Sequence, residues 1–117
     1  MQVSTDVVDD VAVVTVEGAV DAGSVDLLRG ELDQLVSRGQ QRFVIDVTAV
    51  PFMDSSGLAT LVQTFKRVRI GEGDVRVAGL QDDVLRIFQL VRLDRVFDLF
   101  PDAPAAVASF GPAHGAG

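Results

Sequence analysis

The sequence contains no cysteine, no tryptophan and no tyrosine, and its one histidine is His114, close to the end of the chain. Without cysteine the chain forms no disulfide, no zinc-thiolate site and no thiol nucleophile. Because His114 stands apart from the rest of the sequence, the serines before it have no imidazole base, which argues against a Ser-His-Asp hydrolase. We therefore expect a protein that is not an enzyme.

Long apolar runs and an excess of basic residues are also missing. No segment reaches the ~18 uninterrupted apolar residues of a membrane helix, and the first residues lack the basic and apolar regions of a signal peptide. Ten Lys and Arg against seventeen Asp and Glu give a net charge of -7, which repels nucleic acid. The expected location is cytoplasmic, with neither nucleic acid nor a membrane as partner.

The chain does contain enough apolar material for one core, since 48% of its 117 residues are hydrophobic. Alternation over residues 3–7 and a β-branched run at 11–16 predict an N-terminal antiparallel hairpin. The apolar run at 43–47 predicts a central strand of a mainly parallel sheet, which needs helical crossovers. The predicted fold is α/β, a single domain with a four- or five-stranded mixed sheet, parallel crossovers and about four helices.

The ends of several elements can be predicted from capping and turn residues. Ser24 is expected to cap the first helix, and Asp102 or Pro104 to begin the last one. A short last strand is expected at 96–99. We expect the domain to span residues 1–110, followed by a disordered tail at 111–117, whose composition is typical of turns. The helix from 82 to 91 is expected to bury five apolar side chains: Val84, Leu85, Ile87, Phe88 and Val91.

Polar residues cluster where the central strand gives way to the second predicted helix, in the order Asp54, Ser55, Ser56, Gly57. In open α/β sheets, ligands and partners bind at this edge, outside the carboxyl ends of the strands. The alternative is that Asp54 or Ser55 only caps the helix. A cap accounts for one of the three polar groups, and on the residues alone both interpretations stay open.

Residues 52–58, with the sequence FMDSSGL, resemble the signature of the STAS domain as found in bacterial anti-sigma factor antagonists. The similarity extends over nearly the whole chain, from the strand at 11–18 through Asp21 and the strand at 44–47 to the segment at 90–100. The resemblance implies a STAS fold with a signalling function and without a cofactor or metal.

The resemblance further implies that Ser55 is phosphorylated by an anti-sigma factor that is itself an ATP-using serine kinase. The unphosphorylated form would bind this kinase and release a sigma factor, and a serine phosphatase would reset the switch. Asp21 matches a position near the phosphoserine that is implicated in partner contact, although Ala19 stands where many antagonists carry glutamate. The remaining implied partner-binding residues adjoin the phosphorylation site: Asp54, Ser56, Gly57 and Leu58.

Two other functions are compatible with parts of this pattern. A STAS domain can also serve a stress-signalling scaffold or act as a subunit of a lipid transport system. Nucleotide binding by the domain itself is a further alternative, but the loop from Asp54 to Gly57 has no Lys or Arg to neutralise a triphosphate, and the chain has no recognisable magnesium-ligand pattern. We expect the domain to be a monomer or a weak dimer.

Overall fold

Five strands form one mixed sheet in the order β1-β2-β3-β4-β5 in the computed structural model, which describes residues 1–111. Strands β1 and β2 are antiparallel, and the other neighbouring pairs are parallel. In chain order the elements are β1 (Gln2–Val8), β2 (Val11–Glu17), α1 (Val25–Ser37), β3 (Arg42–Ala49), α2 (Ser55–Ile70), β4 (Asp74–Ala78), α3 (Asp82–Leu90), a 3-10 turn (Leu93–Arg95), β5 (Leu99–Phe100) and α4 (Ala103–Ser109).

The predicted fold class is confirmed, including the N-terminal hairpin. Asp9 and Asp10 form its turn with φ angles of 51° and 67°, the left-handed conformation that two-residue hairpin turns need. The last helix begins at Ala103 with Asp102 as its N-cap, as predicted. Of the predicted tail, residues 112–117 lie outside the described part of the chain.

The sheet is covered by helices on both faces, because its central strands alternate between two apolar clusters. One face packs on α1, α2 and α3 through residues such as Leu28, Leu61 and Phe88, which are fully buried. The opposite face packs on α4, where Ala106 contacts a smaller cluster around Val44. Among the described residues, no helix has the length and apolar composition to cross a membrane.

Two predictions near the end of the chain are wrong in detail. Val91, expected to face inward, is 52% exposed because α3 ends at Leu90 and Arg92 turns the chain away with a φ of 66°. The last strand lies at Leu99–Phe100 instead of 96–99, since the 3-10 turn holds the amide of Phe97 on the Leu93 carbonyl at 3.0 Å. Of the other side chains expected to be inward, Val84 and Phe88 are buried, and Leu85 and Ile87 are half-buried.

Candidate functional site

The site lies at the edge of the sheet where β2 and β3 end, because two loops are bonded to each other there. The amide of Val20 donates to the carbonyl of Phe52 at 2.9 Å, and the amide of Asp54 donates to the carbonyl of Val20 at 3.0 Å. The side chains of Val20 and Met53 are buried beneath this bridge. The loop that carries Asp21 is thereby fixed beside the start of α2.

Asp54 is the N-cap of α2 and also connects the two loops. Its Oδ1 accepts hydrogen bonds from the amide of Ser56 at 2.9 Å, from the amide of Gly57 at 3.4 Å and from the Ser56 hydroxyl. Its Oδ2 accepts from the amide of Ala22, 32 residues earlier in the chain, at 3.2 Å. The capping interpretation is therefore correct for Asp54, and it leaves the role of Ser55 open.

These donors hold the pKa of Asp54 below its ordinary value. The largest cause is the hydrogen bond from the Ser56 hydroxyl, and the amides of Ser56, Gly57 and Ala22 act in the same direction. Desolvation opposes them but is outweighed. The carboxylate is therefore charged at neutral pH, where it suits the positive end of the helix dipole.

Asp54→Asn should destabilise the domain at neutral pH, and the difference from wild type should shrink in acid. A carboxylate with a lowered folded-state pKa stabilises above its ordinary value of about 4, and this contribution is lost as the pH falls through the folded value. Urea unfolding of both proteins at pH 7 and about pH 3 measures the difference in their free energies of unfolding. Ser56→Ala removes the main donor, so the acid-sensitive contribution of Asp54 should be smaller and its loss should be complete at a higher pH. A difference between wild type and Asp54→Asn that is independent of pH would contradict this account.

The two serines of the motif have different surroundings. Ser55, the first residue of α2, is exposed, and its hydroxyl makes no hydrogen bond to the part of the chain that the structure describes. The Ser56 hydroxyl donates to Asp54, and the Ser56 carbonyl accepts from the Thr60 hydroxyl at 2.9 Å. The Ser55 hydroxyl is thus accessible to an incoming reagent, whereas the Ser56 hydroxyl is already engaged in a hydrogen bond to Asp54.

Asp21 belongs to a compact turn before α1 and is half-buried. Its Oδ1 accepts from the amide of Gly23 at 3.0 Å and lies 3.2 Å from the Ser24 hydroxyl. Ser24 occupies the N-cap position, but the prediction that its side chain caps α1 is wrong. The hydroxyl faces back to the Ala19 carbonyl at 3.0 Å, while the Asp21 carbonyl accepts from the amide of Val25 at 2.8 Å.

Gly57 and Leu58 face inward from the first turn of α2. A Cβ atom on Gly57 would lie 2.6 Å from Cγ of Met53 and 2.8 Å from Cγ1 of Val20, closer than real Cβ contacts. Leu58 is half-buried against the main core. The glycine therefore lets α2 pack directly on the bridge between the two loops, which sets the position of Ser55.

Phe52 is a feature of the site that the sequence analysis did not single out. Its side chain is 49% exposed, although Val50 and Met53 in the same loop are buried. The sequence feature that could have identified Phe52 is a large aromatic residue in the loop just before Ser55. The chain has seven Phe and no Tyr or Trp. The loop therefore presents an apolar side chain close to Ser55.

The edge of the sheet around Ser55 is acidic. Asp21 and Asp54 lie in the two bonded loops, and Asp82 and Asp83 begin α3 just after β4. The loops at 18–24, 50–54 and 79–81 contain no Lys or Arg. Among the described residues, no group of three or more acidic, His or Cys side chains has the arrangement of a metal site.

The chain belongs to the STAS domain family, whose family model matches residues 2–106. Over 74% of this chain and 78% of the relative, it is 31% identical to the anti-sigma-B factor antagonist of Bacillus subtilis strain 168. The crystal structure of an anti-sigma factor antagonist from Mycobacterium paratuberculosis superimposes with a TM-score of 0.86. That structure is 28% identical, with 92% of each chain covered.

The fold is also shared with the phosphorylated form of the Bacillus cell fate determinant SpoIIAA. The TM-score is 0.75 at 16% identity, and the match covers 93% of this chain and 99% of that chain. At this identity the likeness concerns the fold alone. The STAS family that the sequence analysis predicted is thus confirmed by the family model over residues 2–106.

Proposed function

We propose that this protein is an anti-sigma factor antagonist that binds a serine-kinase anti-sigma factor when unphosphorylated, releases a sigma factor and is switched off by phosphorylation at Ser55. The observation that carries the proposal is the exposed, unbonded Ser55 hydroxyl at the N-terminus of α2 in a STAS domain. The relatives named as anti-sigma factor antagonists support it. A serine phosphatase would restore the unmodified form.

Ser55 acts in this proposal as a phosphate acceptor and not as a nucleophilic catalyst. Its hydroxyl has no base within hydrogen-bonding distance in the described residues, so the kinase must supply the groups that activate it. Ser56, the next residue, is the competing phosphate acceptor, but its hydroxyl already donates to Asp54. A kinase that modified Ser56 would first have to break the hydrogen bond from its hydroxyl to Asp54.

The other predicted partner-binding residues divide into two groups by position. Asp21 and Ser55 line the accessible edge, and we assign them direct contact with the partner. Asp54, Ser56, Gly57 and Leu58 are bonded or packed inward, and they contribute by fixing the loops and the first turn of α2. Loss of one of these inward residues should therefore lower stability together with binding.

The proposal can be tested with the cognate kinase-type anti-sigma factor, isolated as a protein that co-purifies with this chain from its native cell. Titration of the unphosphorylated chain into the complex of that kinase with its sigma factor should release the sigma factor, as followed by size-exclusion chromatography. A chain that binds neither the kinase nor its sigma complex, but co-purifies with transporter subunits, would contradict the proposal.

Phe52→Ala should weaken kinase binding at least tenfold and lower the melting temperature by only a few degrees. Exposed aromatic side chains at the centre of an interface contribute a large share of binding free energy, and one that is half in solvent contributes only about 1 kcal/mol to folding. Isothermal titration calorimetry measures the change. The matched control is Ile70→Ala, at the other end of α2 and 88% exposed, which should bind like wild type; equal effects of the two variants would remove Phe52 from the interface.

A further inference from the structure

The end of α3 and the 3-10 turn that follows it carry exposed apolar side chains. Leu90 is 75% exposed, Val91 is 52% exposed and Val96 is 40% exposed. They reach solvent because α3 ends at Leu90 and Arg92 then turns the chain in the left-handed conformation. The segment is nevertheless ordered by backbone bonds, such as that from the amide of Val96 to the carbonyl of Leu93 at 3.0 Å.

Exposed arginines stand among these apolar side chains. Arg86, Arg92 and Arg95 are all exposed, and they are three of the ten Lys and Arg residues of the chain within ten positions of the sequence. Arg86 lies four residues before Leu90, on the same face of α3. The one acidic residue in this interval is Asp94. We define the α3-end patch by six residues: Leu90, Val91, Val96, Arg86, Arg92 and Arg95.

The arginines of the α3-end patch form no ion pair with the residues that the structure describes. Three other arginines, Arg29, Arg67 and Arg76, each lie within 3.1 Å of an aspartate oxygen. An arginine without such a partner keeps its charge and its N–H donors available to another molecule. The α3-end patch is therefore a basic surface on a chain whose net charge is -7.

We propose that the α3-end patch docks an acidic segment of another protein, whose Asp or Glu side chains bind the arginines while an apolar side chain covers Leu90. The planar guanidinium group matches the two oxygens of a carboxylate, and such pairs are directional. Protein interfaces commonly combine an apolar centre with arginines. The mixture of exposed apolar side chains and unpaired arginines fits this kind of partner.

The charge distribution favours a short acidic segment over the other anionic partners. A nucleic acid or an anionic membrane is an extended polyanion, and the acidic remainder of the molecular surface would repel it. A second copy of the chain also carries a net charge of -7, without a short acidic segment being singled out. A protein segment can place a few carboxylates on the three arginines and avoid the acidic edge around Ser55.

The proposal does not depend on kinase binding, because the α3-end patch lies away from the Ser55 edge. Helix α3 begins at Asp82, just after β4, and runs back along the sheet, as the crossover between parallel β4 and β5 requires. It has nine residues, so at about 1.5 Å per residue Leu90 lies about 12 Å along the helix from Asp82. A partner on the α3-end patch would leave the loops around Ser55 free.

Titration of the full chain with synthetic peptides tests the proposal. The probe is a helical peptide with Glu and Leu on one face, and its matched control carries Lys in place of every Glu. The acidic peptide should bind at least tenfold more tightly than the control, and added salt should weaken its binding. In NMR spectra of the isotope-labelled chain, the amide signals that shift should belong to residues 86–96.

Variants separate the α3-end patch from the rest of the surface. The double variant Arg92→Glu, Arg95→Glu and the single variant Leu90→Ser should each lower the affinity for the acidic peptide at least tenfold. The matched controls are Arg38→Glu, at an exposed arginine after α1, and Val7→Ser, at an exposed valine of β1, which should bind like wild type. Circular dichroism confirms that all four fold.

Several results would overturn the proposal. They are equal binding of the acidic and basic peptides, equal effects of the patch variants and their controls, and shifted amide signals outside residues 86–96. Binding of the chain to phosphatidylserine vesicles in preference to the acidic peptide would assign the arginines to a membrane instead. A dimer in sedimentation equilibrium that Leu90→Ser abolishes would assign the α3-end patch to a second copy.

Discussion

Phosphorylation of Ser55 should lower the affinity for the kinase at least tenfold, about 1.4 kcal/mol, while the melting temperature moves by only a few degrees. A phosphoserine adds roughly 1.5 to 2 negative charges at pH 7. Within the domain these charges lie beside the positive end of the α2 dipole, and they are opposed by repulsion from Asp54 and Asp21. In solvent the two effects are small and of similar size, so the fold is retained.

At the interface the same charges are not balanced. The loops around Ser55 contain Asp21 and Asp54 and no Lys or Arg, so these loops offer the phosphate no counter-charge. A partner packed against the unmodified hydroxyl would have to desolvate the dianion, which costs more than the contacts return. Paired calorimetric titrations and thermal melts of the two forms measure both quantities.

Ser55→Ala is the control for this prediction. Ser55 is the first residue of α2 and Asp54 is its cap, so removal of the Ser55 hydroxyl leaves the capping bonds intact. The variant should fold like wild type and bind the kinase constitutively. Loss of binding together with a collapsed melting transition in the phosphorylated protein would show that the switch works by local unfolding instead.

Gly57→Ala should be less stable than Gly30→Ala by about 1–3 kcal/mol, the usual cost of overpacking a buried site. Both residues lie inside helices, so alanine gives both variants a similar gain in helix propensity. A Cβ atom on Gly30 meets nothing within 4 Å, whereas one on Gly57 meets the buried side chains of Met53 and Val20. Urea unfolding of the two variants isolates this contact.

The same substitution should also weaken kinase binding, because Val20 and Met53 support the bridge between the two loops of the site. Gly30→Ala should bind like wild type and be slightly more stable than it. If Gly57→Ala were as stable as Gly30→Ala, the close approach of α2 to the bridge would not be required for the fold.

The sequence predicted those parts of the fold that depend on local spacing. The hairpin follows from alternation and a β-branched run, the central strand from a continuous apolar run, and the helix that begins at the serines from apolar residues at helical spacing. The short strand at Leu99–Phe100 and the exposure of Val91 were not predicted correctly, because they depend on the 3-10 turn at Leu93–Arg95 and its packing. Features that depend on tertiary packing leave no periodic pattern in the sequence of such a short segment.

The candidate site shows the same division. A cap at Asp54 was one of the alternatives that local sequence offered. Its second bond, to the amide of Ala22, and the bridge between Val20 and Met53 join segments about thirty residues apart, which no local pattern encodes. The orientation of the Ser24 hydroxyl toward the Ala19 carbonyl likewise depends on contacts that local sequence does not encode. The Asp21 carbonyl already accepts hydrogen bonds from the amides at the start of α1.

Phosphopeptide mapping tests the central claim most directly. The wild-type chain, Ser55→Ala and Ser56→Ala are incubated with the cognate anti-sigma kinase and ATP, digested and analysed by mass spectrometry. The account predicts one phosphate, at Ser55, in the wild type and in Ser56→Ala, and none in Ser55→Ala. Modification of Ser56 alone, or a phosphate retained in Ser55→Ala, would contradict it.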